Sequence, residues 1–116
     1  MPFNTCVNRA FLLGRVGSEP TRETISGQLV LYFRLSTTEN IKKDSSTSKH
    51  TEWHNIKLPS ELLDGNAGPE PGDLVYIQGK VQTRIVFEEG VKIYKTEILV
   101  INIEKLELSE EMSHSA

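Results

Sequence analysis

From Val75 to Arg84 the chain alternates with period two, placing Val75, Ile77, Gly79 and Val81 on one side and Tyr76, Gln78, Lys80, Gln82 and Arg84 on the other. This is the pattern of a strand with one face on a core and the other in water. The glycine at an inward position narrows the fold further. In mid-strand it marks either the sharp coiling of a small barrel or a close approach of two backbones. It belongs to a strand Leu74–Val86 that enters a hairpin around Glu88-Glu89-Gly90. Four other segments read as strands: Asn8–Val16, Leu29–Thr37, Glu52–Leu58, and a last one from Lys92 or Ile93 to about Leu108, with a break. Ser18-Glu19-Pro20 reads as a turn leading to a loop with Ser26-Gly27, and the polar stretch Asn40–Lys49 reads as a long hairpin loop. Pro59-Ser60-Glu61-Leu62-Leu63-Asp64 allows one helical turn opened by proline, which the Gly/Pro-rich run Gly65–Gly72 stops at once. Five strands with a break after the third predict an all-β fold, a five-stranded antiparallel Greek-key barrel with at most one short helix between strands three and four. Residues 1–6 read as an N-terminal arm, 7–108 as the domain and 109–116 as a short acidic tail.

Three segments break the alternation: Ala10-Phe11-Leu12-Leu13, Leu29-Val30-Leu31-Tyr32-Phe33 and Ile98-Leu99-Val100-Ile101. A small barrel has one interior and buries one face of each strand. The second apolar face of these segments therefore calls for subunit contact, and a homo-oligomer is expected.

Thr51-Glu52-Trp53-His54-Asn55-Ile56-Lys57-Leu58 has two faces of different kinds. His54, Ile56 and Leu58 can line a core, whereas Trp53, Asn55 and Lys57 place an indole, an amide and an ammonium in a row. An aromatic beside cations on a strand suits single-stranded nucleic acid, and a half-buried strand tryptophan is the plainer reading. The net charge of −3 is unevenly spread: residues 1–60 carry eight Lys/Arg against five Asp/Glu, residues 61–116 five against eleven. An acidic total thus leaves room for a basic surface. Cys6 is the only cysteine and His50 and His54 lie in or beside a strand, so neither a disulfide nor a metal site is expected. No Gly-rich phosphate loop, nucleophile elbow or framed carboxylate pair is present, so the chain reads as non-catalytic and without a cofactor. No apolar run approaches the ~20 residues of a membrane span.

Cys6–Gly17, Glu19-Pro20, Ser36-Thr37-Thr38-Glu39, Thr51-Glu52-Trp53-His54, Leu74–Arg84 and Tyr94-Lys95-Thr96-Glu97-Ile98 resemble, in order and with compatible spacing, the single-stranded-DNA-binding proteins of bacteria and mitochondria. The resemblance implies an OB-fold that assembles as a homotetramer and binds single-stranded DNA with little sequence preference, serving DNA replication and maintenance. Three aromatics usual in the family are replaced here by Ile41, Pro59 and Val86, with Phe87 one step later, and the intervening helix is cut short. The tail Ser109–Ala116 lacks the long linker and apolar acidic tip of bacterial members. It is most like the mitochondrial branch, which implies the mitochondrial matrix and nucleoid, with mitochondrial replication proteins as partners. A bacterial chain shortened at its tail, in the bacterial cytoplasm, is the alternative.

Of the family's stacking residues only Trp53 carries over directly. The faces of the strands add Tyr32, which with Arg34 lies opposite Leu31, Phe33 and Leu35 on strand two, and Phe87, at the strand-four tip in place of the missing ring beside it. Arg15, Arg34, Lys42, Lys43, Lys49, Asn55, Lys57 and Arg84 are the expected phosphate or base contacts, and His54, Tyr76, Leu99 and Ile101 the subunit interface. Other readings are a specialised binder of single-stranded ends, such as telomere-like overhangs, and an OB-fold module that binds protein only.

Overall fold

Two-residue turns set the strand pairing. Ser26-Gly27 (φ 51° and 81°) and Glu89-Gly90 (φ 52° and 79°) both place two residues in the left-handed region, the geometry that matches the twist of a hairpin. A third tight turn at Asp44-Ser45 has Asp44 at φ 56°. The computed structural model describes residues 5–107. It contains strands β1 Ala10–Val16, β2 Thr21–Ile25, β3 Gln28–Lys43, β4 Ser46–Pro59, β5 Leu74–Glu88 and β6 Val91–Leu106, with one 3₁₀ turn at Ser60–Leu63.

Five of these close a barrel in the order β1, β5, β6, β4, β3 and back to β1. The β1–β3 closure rests on Arg15 opposite Ser36 and Val16 opposite Leu35. The β4–β6 seam is parallel and also short, pairing Ile56 with Ile98 and Lys57 with Leu99. The other barrel pairings are antiparallel, giving the expected five-stranded OB-type barrel. Its interior is Val16, Leu31, Phe33, Leu35, Ile56, Leu58, Val75, Ile77, Ile98 and Val100. Ala10, Leu12, Leu29, Leu62, Leu63 and Ile103 pack around that cluster.

Three expectations about the local structure need correction. Thr21–Ile25, expected as loop, is a strand paired along its whole length with β3. All five of its residues are exposed, so no apolar alternation announced it. The stretch Asn40–Lys49, expected as a loop, is the end of β3 and the start of β4, paired continuously from Asn40–Lys49 to Lys43–Ser46 around the two-residue turn. This ribbon stands in water on both faces, and ladder hydrogen bonds rather than burial hold it. The last strand is not interrupted but bulged: Gln78 pairs with Asn102 and Gly79 with Val100, leaving Ile101 as the extra residue.

Gly79 answers to close backbone approach, because a Cβ there would collide with the Leu99 carbonyl oxygen across the β5–β6 ladder. The apolar runs divide as a one-interior barrel requires. In β1, Ala10 and Leu12 face the core, while Phe11 and Leu13 remain 60% and 54% exposed. The expected tail, 109–116, lies outside the described residues, as do positions 1–4 of the arm.

Candidate nucleic-acid interface

The outer face of β3 and β4 is set by their register. Tyr32 lies opposite Lys57, Arg34 opposite Asn55, Ser36 opposite Trp53, Asn40 opposite Lys49 and Lys42 opposite Thr47. Alternation therefore places Tyr32, Arg34, Lys42, Lys49, Trp53, Asn55 and Lys57 on one face of a single twisted ribbon. Lys43 falls on the other face, with Ile41.

Over this face lies an open groove of about 680 Å³. Its floor includes Tyr32, Arg34, Trp53 and Asn55; Ser18, Glu19 and Thr21 form one wall, and Arg84 with Tyr94–Ile98 the other. The first wall is fastened to the floor by two hydrogen bonds, the Gly17 amide donating to the Arg34 carbonyl (2.8 Å) and the Arg34 amide to Ser18 Oγ (3.2 Å). The second is fastened by Asn55 Nδ2, which donates to the Thr96 carbonyl (3.2 Å) just past the two-residue parallel seam. Asn55 thus uses a side-chain donor to position the wall.

Two cation–aromatic pairs occupy the floor. The Arg34 guanidinium carbon lies 4.7 Å from the Trp53 ring centroid, and that of Arg84 lies 4.9 Å from Tyr32. Trp53 is 47% exposed, which leaves indole surface free for another flat partner. Gly17 makes room for it, since a Cβ at that position would overlap the ring.

Glu97, which the sequence did not mark as functional, is 2% exposed and receives a hydrogen bond from Arg84 Nε at 3.1 Å. An acid in a strand reads as a solvent-facing residue; the available signal was its place beside the apolar run Ile98–Ile101. The Tyr32 hydroxyl is buried with no hydrogen-bond partner among the described residues. Burial pushes its phenol above the usual value; the nearby Arg84 opposes this, and Glu97 and Glu23 add to it.

The groove gathers Tyr32, Arg34, Trp53, Asn55 and Arg84, with His54 also along its lining. Lys57 is half-buried on the same face, and Lys42 and Lys49 extend that face along the ribbon. Arg15 lies on β1 and donates to the Gly72 carbonyl at 3.1 Å. Phe87, 71% exposed, sits beyond the groove near the β5–β6 turn, one position out of phase with Arg84 and Val86. Among the residues expected at a subunit interface, His54 is half-buried and hydrogen-bonded to Thr37 Oγ1 at 2.8 Å. Tyr76 pairs with Leu13 on the exposed side of β1, and half-buried Leu99 lies between Lys57 and Lys80. Ile101 is the bulge residue.

A sequence profile of the Single-strand binding protein family matches residues 7–106. The chain is 38% identical over 105 residues to single-stranded DNA-binding protein 1 of Chlorobaculum tepidum, an alignment covering 86% of this chain and 65% of that relative's length. Among solved structures it resembles a Plasmodium falciparum SSB in complex with ssDNA, with 27% identity and a TM-score of 0.74 over 91% of this chain and 100% of the other. A small single-stranded DNA-binding protein from Streptomyces coelicolor shares the fold at 20% identity, with a TM-score of 0.66 over 84% and 92% of the two chains. By the extent of the profile match, the chain belongs to the single-strand binding protein family.

Proposed function

We propose that this protein binds and protects single-stranded DNA during DNA replication and maintenance, without catalysis and largely without regard to sequence. The observation that carries this reading is the half-exposed Trp53 indole in an open groove, with Arg34 stacked on it and further cations along the same face. Unpaired bases lay their faces on such rings, each worth about 1–3 kcal/mol whichever base is present, while cations take the phosphates and release counterions. In this reading Trp53 and Tyr32 stack bases and Phe87 extends the path at the hairpin tip. Arg34, Asn55 and Arg84 contact DNA within the groove, and Lys42, Lys43, Lys49, Lys57 and Arg15 contact it along its approaches. The ssDNA named with the Plasmodium falciparum neighbour supports the same partner.

The protein works as a homo-oligomer, a tetramer by family resemblance, with His54, Tyr76, Leu99 and Ile101 at subunit contacts. The exposed Phe11 and Leu13 beside Tyr76 support such contacts. The bacterial relative supports the bacterial cytoplasm as its compartment. A mitochondrial nucleoid, with mitochondrial replication proteins as partners, is the other setting that the resemblance allows.

Trp53 is the only tryptophan, so its fluorescence reports directly on the groove. Adding oligo(dT) quenches it, with affinity falling as salt rises. An unchanged signal together with no gel shift rejects DNA binding and favours a protein-binding module.

A further inference from the structure

Among the described cations lining the groove, Arg84 is the one compensated by a buried acid, whereas Lys95 pairs with the exposed Glu88. The Nε of Arg84 is held at 3.1 Å by the carboxylate of Glu97, which is sealed from solvent, while the arginine side chain itself is 35% exposed. Its guanidinium also lies 4.9 Å over the Tyr32 ring. These two contacts act on different freedoms: the ring limits where the guanidinium can sit, and the carboxylate limits how it can turn. The two terminal nitrogens make no hydrogen bond to the described residues. A guanidinium held by Nε on one side therefore presents its paired terminal N–H groups as a ready two-pronged donor.

The buried negative charge also changes what this donor suits. A phosphate is drawn by net positive charge, and Glu97 cancels that of Arg84 at close range. A neutral base edge with two adjacent acceptors needs only correctly aimed donors. Guanine offers such an edge in O6 and N7, and bidentate Arg–guanine pairing is the commonest specific base contact. On the corresponding edge adenine places a donor beside N7, thymine has a single acceptor and cytosine a donor, so none of them satisfies both prongs. The Watson–Crick edge of an unpaired cytosine, with N3 beside O2, is the one competing pair and is tested directly.

We propose that Arg84, aimed by Glu97 and Tyr32, forms a guanine-selective subsite within an otherwise sequence-tolerant groove, with Glu97 as a positioning residue that does not itself touch DNA. This rests on the groove being the DNA site. One selective position in a chain that slides along its ligand biases where the protein rests without restricting what it coats.

The test compares short oligo(dT) strands carrying one central thymidine, deoxyguanosine, deoxyadenosine, deoxycytidine or 7-deazadeoxyguanosine, titrated against the intact protein by Trp53 quenching. Sliding lets any placement of the single purine reach the subsite. The expected result is roughly tenfold tighter binding of the guanine strand than of all-thymine, toward the low end for a bidentate contact. The preference should largely disappear with 7-deazaguanine, which lacks N7, and should not appear with adenine. Arg84→Lys, which keeps the charge but loses the fork, brings the guanine-to-thymine ratio close to one. Glu97→Leu also brings that ratio close to one. By releasing Arg84 to a phosphate, it steepens the slope of log affinity against log salt by about 0.7.

Equal affinity for the five strands in the wild type, or cytosine bound as tightly as guanine, overturns the guanine-selective subsite while leaving DNA binding intact; no quenching by any strand removes both. A guanine preference that survives 7-deaza substitution or Arg84→Lys overturns the assignment to Arg84. A preference lost in Arg84→Lys but kept in Glu97→Leu overturns the positioning role.

Discussion

Gly17 and Trp53 share one space: the indole lies where a side chain at position 17 would begin. The glycine sits just after β1, and its amide is bonded to the Arg34 carbonyl, so the backbone that makes the space is itself held by the groove floor. The stacking ring is thus placed by what a neighbour lacks.

Gly17→Val should therefore displace the indole while leaving the barrel core untouched. We expect oligo(dT) affinity to fall by five- to tenfold, within the effect of losing one stacking ring worth about 1–3 kcal/mol. Trp53→Ala should cost at least as much. In the Trp53→Ala background Gly17→Val should cost nothing further, because the two changes act through one contact. Anisotropy titrations of the single and double variants provide the check, and additive losses would show that Gly17 acts elsewhere.

Arg34 is stacked on Trp53 and has no acidic partner among the described residues, so it is available to a phosphate. Arg34→Gln should reduce the slope of log affinity against log salt by about 0.7, the loss of one phosphate contact to a single strand. Lys42→Gln should reduce the slope more than Lys43→Gln, since Lys42 shares the Trp53 face of the ribbon and Lys43 does not. Equal slopes for the two lysine variants would mean that the ribbon engages DNA equally with its two faces.

The Tyr32 hydroxyl is buried without a partner among the described residues, and such a group carries a desolvation cost of about 1–3 kcal/mol. Tyr32→Phe keeps the ring under Arg84 and removes that cost, so the variant should be as stable as the wild type or more so by about 1 kcal/mol. The sign with pH follows from the same burial. The folded phenol holds its proton above the ordinary value of 10.0, so above that pH the unfolded chain has lost more of this proton than the folded one. Stability is then fully present below pH 10.0 and declines as pH rises toward the folded value. Urea melts across that window should show a shallower alkaline decline for Tyr32→Phe.

Much of this arrangement was legible in the residues because period-two alternation encodes faces. Trp53, Asn55 and Lys57 opposite Ile56 and Leu58, and Tyr32 and Arg34 opposite Leu31, Phe33 and Leu35, are statements about sides of a strand. The register confirms both sets. What alternation does not encode is a strand with two wet faces. Thr21–Ile25 and the Asn40–Lys49 ribbon have no apolar period, and only the left-handed turns at Ser26-Gly27 and Asp44 betray them. Glu97 escaped notice for a related reason: its burial depends on the parallel seam and on Arg84 folding over it, neither of which is local in sequence. Gly79 had two readings, and the position of the Leu99 carbonyl distinguishes them.

The exposed pair Phe11 and Leu13 lies in register with Gln78 and Tyr76 on the outer side of β1 and β5. Because Phe11 and Leu13 are already partly covered, leaving them in water forgoes roughly 1–2 kcal/mol for each one a neighbour could bury. If assembly runs over this patch, Leu13→Glu places a charge in a dry contact and weakens association by about fivefold or more, from the lost leucine burial alone. Sedimentation velocity across a dilution series should then show smaller species at concentrations where the wild type remains assembled. His54→Glu, at the second expected contact, should act in the same direction, with the added loss of the Thr37 hydrogen bond. Should Leu13→Glu sediment like the wild type at every concentration while His54→Glu dissociates, association runs through the β3–β4 side. The β1 patch would then be left for another partner.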